Sequence, residues 1–220
     1  MSRAGRKVIV WDAPTRLFHW LIVVLVAAAY ATWRLNWMDL HAELGAVLLA
    51  LVLFRILWGF FGSDSARFRR FLASPTVAAR HLTNMFRREP DHEAGHNPAG
   101  GWMVILLLSL LLVEILTGIY VLNDVADEGP FTELAPPAVA NAITALHSIF
   151  WDVLLAAIAL HLAAILVYAM AKGQNLVVPM ISGRKVLPQT VPSPPIAGLA
   201  RALLLLGCSA LAAAGLFNFL

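Results

Sequence analysis

The chain alternates between long apolar runs and short polar stretches. Five runs stand out: Leu17–Trp37, His41–Phe61, Trp102–Leu122, Ala145–Ala171 and Ile196–Phe219. Each approaches or exceeds the ~20 residues that carry a helix across a ~30 Å hydrocarbon layer. A bilayer core offers no water to the backbone, so a spanning segment is a helix or part of a closed barrel. The runs are continuous and lack period-two alternation, so the pattern predicts five helices and an all-α membrane protein. Asp12 and Pro14 give the first helix a cap and a first-turn proline. Ala29-Tyr30-Ala31 has the look of a signal-peptide cleavage site, but the long polar region before it and the run continuing to Trp33 favour a retained helix.

The polar stretches have their own pattern. Pro75–Arg88 predicts a short helix with Val77, Leu82, Met85 and Phe86 set among basic residues, either lying on the membrane or solvated. Glu89–Gly101 is rich in turn formers. Pro188–Pro195 is a proline-rich linker that sets the fifth run apart. No internal repeat is obvious.

Composition agrees with the pattern. The 220 residues are 60% hydrophobic and 13% charged, with a mean hydropathy of +0.77. That excludes an ordinary soluble domain, about a quarter charged, and a disordered chain. The single cysteine excludes an internal disulfide framework, a Cys-rich zinc site and an iron–sulfur cluster held by this chain alone.

The net charge of +3 and pI near 9.4 raise the question of nucleic acid. The placement of the charges answers it. Arg3, Arg6, Lys7 and Arg16 precede or open the first run; Arg67, Arg69, Arg70, Arg80, Arg87 and Arg88 lie between the second and third; Lys172, Arg184 and Lys185 follow the fourth. Of the 16 basic residues only Arg34, Arg55 and Arg201 lie elsewhere. The segment from Asn123 to Thr144 carries Asp124, Asp127, Glu128 and Glu133 and no Lys or Arg. This is a positive-inside topology signal, not a nucleic-acid footprint, and it predicts a cytoplasmic N-terminus in a bacterial inner membrane. Trp33, Trp37 and Trp151 then fall at the outer interface, and Trp58 and Trp102 at the inner one.

The informative residues are the polar exceptions inside the runs. His81, His92 and His96 lie in the loop and read as solvated. His19, His41, His147 and His161 lie in spans, where ionisable groups are costly and face the bundle interior. His147 and His161 share a face of the fourth span, separated by roughly 21 Å of rise. Alternating topology places His19 and His161 at an inner level and His41 and His147 at an outer one. A flat macrocycle gripped by one imidazole from each side needs this arrangement, and such an iron passes electrons and binds no oxygen. The chain has no C-x-x-C-H sequence, so two such haems would be b-type.

Anionic propionates need cations. Arg55 lies on the face of His41 at the inner level, and Arg16 lies one turn before His19. Both are candidates for an inner haem, and Arg34 for an outer one. For Arg16 and Arg34 snorkelling is an equal reading, and Arg55 too could reach the surface past Trp58 and Phe61. Gly45, one turn after His41, and Gly118 could admit a macrocycle or a neighbouring helix. Glu114 could relay a proton, hydrogen-bond a ligand histidine, or contact another helix such as the fifth.

Several stretches resemble the prokaryotic cytochrome b-561 family, especially its branch similar to nickel–iron hydrogenase cytochrome b subunits. They are VWDAPTRLFHW (Val10–Trp20), HAELG with FRILWGFFGS (His41–Ser63), GHNPAGGWM (Gly95–Met103), LTGIY (Leu116–Tyr120), and His147 with His161. The resemblance covers about residues 8 to 185 and implies a four-helix transmembrane haem-binding bundle, read as residues 1–187; the linker 188–195 and the additional transmembrane helix 196–220 go beyond the family's four-helix plan. It implies two haem b groups with axial His19, His41, His147 and His161. It also implies exchange with quinone, often with a c-type cytochrome or dehydrogenase as partner.

The expected function is transmembrane electron transfer through two bis-histidine haems, in contact with membrane lipid and compatible with a homodimer. Two readings from other classes stand beside it: a histidine-lined metal or proton transporter, and a non-redox membrane anchor.

Overall fold

The computed structural model describes residues 5–86, 91–122, 129 and 131–218. Arg3, Arg87, Arg88, Glu89, Pro90, Asp124, Asp127, Glu128 and Phe219 lie outside the described residues. Among the described residues five helices are long and apolar enough to cross a membrane. They are α1 (Ala13–Arg34), α2 (Met38–Phe61), α5 (Pro98–Gly118), α6 (Pro137–Val167, continued by a π-turn over Tyr168–Lys172) and α8 (Leu199–Asn218). Short helices α3 (Phe68–Phe71), α4 (Pro75–Thr83) and α7 (Val177–Ser182) lie between them. The protein is an all-α membrane protein with one small addition, an antiparallel pair of strands β1 (Arg6–Ile9) and β2 (Arg184–Leu187).

That pair was not expected from the sequence. Its signal is a short internal repeat: Gly-Arg-Lys-Val occurs at 5–8 and again at 183–186. Each copy is too short for a periodicity argument. Arg6 pairs with Leu187 and Ile9 with Arg184.

The fourth span also differs from expectation. It starts at Pro137, two turns before Ala145, and with its π-turn runs 36 residues. At 1.5 Å per residue that is about 54 Å, well beyond the ~30 Å hydrocarbon core. Asn141 and Thr144 make its first turns polar, which hides them from a hydropathy pattern. The Pro136 carbonyl accepts from the Val139 and Ala140 amides and starts the helix.

The chain divides into two compact units. The first comprises Met1–Leu17, Ile56–Leu106 and Ile158–Ala202. Its strands bury Val8 and Leu187 with Val10 and Trp11, and Ala94, Met180 and Val191 pack against them. The Val10 and Trp11 amides both donate to the Gly183 carbonyl. Gly183 has φ 76°, and a Cβ there would lie 2.7 Å from the Trp11 oxygen, so glycine is required on two counts.

Asp12 caps α1. Its Oδ1 accepts from the Thr15 amide at 2.7 Å, and its Oδ2 accepts from the Trp58 indole N–H at 3.0 Å. Trp58 is therefore fully buried, not an interface residue as the aromatic-belt pattern suggests. Asn97 caps α5 through the Gly100 amide, Pro98 opens the helix, and Gly101 lets it approach the Phe71 carbonyl.

Two loop histidines are not simply solvated. His96 sits between the rings of Trp11 and Phe71, at 4.5 and 4.6 Å. His81 shares a 2.6 Å hydrogen bond with buried Tyr168. His92 is exposed. The observed α4 falls within the expected Pro75–Arg88 segment, with Val77, Leu82 and Phe86 exposed.

The second unit comprises Phe18–Arg55, Leu107–Ala157 and Leu203–Leu220. Leu48, Leu49, Leu51, Val52 and Phe54 of α2 are buried in it, as are Leu110, Leu111 and Ile115 of α5. Asn36, with φ 56°, closes α1, and the Trp37 amide reaches back to the Thr32 carbonyl. Tyr30 stacks on Trp151 at 5.3 Å. Thr144 of α6 accepts from the Leu122 amide just past α5.

Candidate functional site

Within the second unit four helices build a site around two imidazoles. His41 lies one turn into α2, and its Nδ1 is 2.9 Å from the Ala29 carbonyl oxygen of α1. A carbonyl oxygen only accepts, so Nδ1 carries the proton and donates. Nε2 is left with its lone pair.

His147 of α6 is held in the same way. Its Nδ1 is 3.0 Å from the Glu114 carbonyl oxygen and 3.1 Å from Thr117 Oγ1, both on α5. The Thr117 hydroxyl donates to the Val113 carbonyl, so its oxygen is free to accept from the imidazole. Nε2 of His147 is not open like that of His41: it lies 3.4 Å from Glu114 Oε1, a contact that needs a proton on one of the two atoms.

The glycines on this site do different things. A Cβ on Gly118 would lie 3.1 Å from Cε1 of His147, so Gly118 makes room for the imidazole itself. A Cβ on Gly45 would meet nothing within 4 Å. The space beside α2, one turn past His41, is open.

Glu114 is buried against His147, and its Oε2 has no hydrogen-bond partner among the described residues. Of the three readings open for this acid, the geometry favours the contact with the histidine.

The remaining candidates are placed as follows. His19 of α1 is half-buried in the second unit, with its ring 4.9 Å from that of Trp20. His161 is half-buried on α6 in the first unit. Arg55 is 3% exposed, so it does not reach the surface. Arg16 donates from Nη1 to the Ile181 carbonyl at the end of α7. Arg34 is exposed, with its guanidinium 5.6 Å over the Trp33 ring. Thr117 and the Ala29 carbonyl were not singled out in the sequence. Thr117 lies within the LTGIY stretch, whereas a backbone carbonyl leaves no mark.

A model of the family described as prokaryotic cytochrome b561 matches residues 10–183. The chain belongs to the prokaryotic cytochrome b561 family. The match is to the family and does not distinguish its branches. Searches of curated proteins and of solved structures returned no match. As a cytochrome b561 the chain is a multi-pass membrane protein of electron transport, and its cofactor is haem b.

The residues present fit that group. Metal-bound histidines characteristically donate the second ring nitrogen to a carbonyl or carboxylate, which fixes tautomer and orientation. His41 and His147 both do so, each toward a backbone carbonyl of a different helix. The open space at Gly45 adds room beside one of them.

Proposed function

We propose that this cytochrome b561 carries electrons across the bacterial inner membrane through two bis-histidine haems b, exchanging them with quinone and with a c-type cytochrome or dehydrogenase. His41 and His147 would be the axial pair of one haem, and His19 and His161 of the other. The observation that carries the reading is the matched hydrogen bonding behind His41 and His147. Two imidazoles on different helices lie within one unit, each locked by Nδ1–H to a backbone carbonyl, which turns Nε2 toward the ligand position; at His147 the Glu114 carboxyl would have to yield that position to iron.

When bound, haem supplies an iron that cycles between ferric and ferrous. The chain's own part is to hold the ligands, exclude water and balance charge. Ala29, Glu114 and Thr117 orient the imidazoles. Gly118 and Gly45 shape the space around them. Arg55, buried within the second unit, is the strongest candidate to neutralise a propionate. Arg16 and Arg34 are the others, each with N–H groups beyond the contacts described.

In this reading residues 1–187 form the haem-binding bundle, 188–195 link it to the fifth helix, and 196–220 are an addition to it. The basic segments lie on the cytoplasmic side with the N-terminus. The resemblance leaves the partner open between a c-type cytochrome and a dehydrogenase.

A reduced-minus-oxidised spectrum with a haem assay on the purified protein tests this. Two b-type haems per chain are expected, with loss of one in His147→Ala and of the other in His161→Ala. Haem retained in both, with loss of proton or metal flux across vesicles, would replace this reading with a histidine relay.

A further inference from the structure

We propose that the cleft where α2 ends and α8 begins binds the headgroup of an anionic membrane phospholipid. Phe60, Phe61, Arg67, Arg69 and Arg201 line a cleft of about 550 Å³ within the first unit. The two rings are 62% and 55% exposed, at the very end of a membrane-spanning helix.

Two of the three cations are held here for a structural reason. The last carbonyls of a helix lack intrahelical partners and carry partial negative charge. Arg67 Nε donates to the Gly62 carbonyl at 2.9 Å, and Arg201 Nη1 to the Phe61 carbonyl at 3.1 Å. Arg201 comes from α8, whose approach is pinned by two bonds. The Asp64 amide donates to the Pro195 carbonyl, and the Ala197 amide to Ser63 Oγ.

These contacts fix two guanidinium groups without neutralising them. A guanidinium has five N–H donors, and each of these two spends one on a neutral carbonyl. Arg69 has no hydrogen bond or ion pair among the described residues. The nearby acid, Asp64, is taken by Arg70 at 2.7 Å. Among the described residues no carboxylate pairs with Arg67, Arg69 or Arg201.

A ligand for this cleft must carry negative charge and, joined to it, apolar groups that lie along exposed phenylalanines at the end of a span. A phospholipid with net negative charge meets both demands. A zwitterionic lipid brings its own cation, and free phosphate has nothing to set against the rings. Arginine is suited to the phosphate through paired N–H donors. The site also gives α8 a role, because that helix delivers Arg201.

Native mass spectrometry of the full chain in detergent is the test. Phosphatidylglycerol, phosphatidylcholine and inorganic phosphate are titrated separately and in competition. Phosphatidylglycerol is expected to bind preferentially, to resist excess inorganic phosphate, and to lose about fivefold in affinity in Arg69→Gln. Because Arg69 makes no hydrogen bond or ion pair among the described residues, that variant is expected to keep its structure, and Arg69→Lys most of the preference. Equal binding of the two lipids, unchanged binding in Arg69→Gln, or displacement of lipid by phosphate would overturn the proposal.

Discussion

Gly118 and His147 meet across α5 and α6, with room for a hydrogen where any other residue would place a carbon 3.1 Å from the imidazole Cε1. Adding one methyl therefore pushes on the ring and not on lipid. Gly118→Ala is expected to leave the helices folded but to turn the imidazole away from its two acceptors on α5. In the two-haem reading, haem content falls toward half and the surviving spectrum belongs to the His19/His161 haem. Full haem content with an unchanged spectrum would show that the ring has slack.

Gly45 provides the complementary case. A Cβ there meets nothing within 4 Å, and alanine is favoured over glycine inside a helix by about 0.5–1 kcal/mol. Gly45→Ala should therefore raise the melting temperature of the haem-free protein slightly. If the open space is where a macrocycle sits, the same variant retains haem less well. Opposite signs in the apo and loaded forms would place the cofactor at Gly45; a gain in both would place it elsewhere.

Thr117 and Glu114 together hold His147. Thr117→Val removes a hydroxyl that accepts from Nδ1 at 3.1 Å, but the Glu114 carbonyl at 3.0 Å remains. Loss of one partner behind a metal ligand weakens metal retention by about tenfold at the lower end of the usual range. The variant should lose haem faster on dilution, and Thr117→Ser, which restores the hydroxyl, should recover most of the loss. A variant that held haem as well as the parent protein would leave the backbone carbonyl as the sole orienting group.

How much of this could be read in the chain depends on whether a feature lives in side-chain identity or in backbone geometry. The five spans were legible because hydrophobicity is additive along a run. His41 and His147 were legible because an ionisable group in a bilayer is an exception that identity alone marks. The carbonyl of Ala29 was not, since every residue has one and only the fold chooses which is used. Trp58 misled for a related reason. An aromatic residue near a span's end has the same identity whether it faces headgroups or donates to a buried Asp12, and only tertiary contact separates the two cases. The start of α6 was hidden by polar residues that belong to a helix longer than the membrane is thick.

The Asp12–Trp58 bond makes a clear stability prediction. Asp12→Ala removes a helix cap, about 1 kcal/mol, and leaves a buried indole N–H without its acceptor, about 1–3 kcal/mol. The expected loss is roughly 2–4 kcal/mol. Trp58→Phe keeps the cap but leaves the buried Asp12 Oδ2 without its donor and shortens a fully buried ring, so it should also cost a few kcal/mol, about 1–3 for the unpaired oxygen plus the lost packing. Thermal unfolding in detergent of both single variants and the double variant measures the coupling. Strict additivity would show that the bond contributes nothing of its own.

Two glycines after α6 separate backbone strain from steric approach. Gly173 and Gly183 have nearly the same φ, 69° and 76°, which costs an L-residue about 1–2 kcal/mol. A Cβ on Gly173 has nothing within 4 Å, whereas one on Gly183 would lie 2.7 Å from the Trp11 carbonyl. Gly173→Ala should therefore show the strain alone. Gly183→Ala should show the strain and, in addition, the loss of the Val10 and Trp11 amide bonds to its carbonyl, which tie β1 to the start of β2. Hydrogen exchange at residues 6–11 distinguishes them. Fast exchange is expected in Gly183→Ala and parent-like protection in Gly173→Ala, and equal protection in both would mean that the strand pair tolerates the displaced turn.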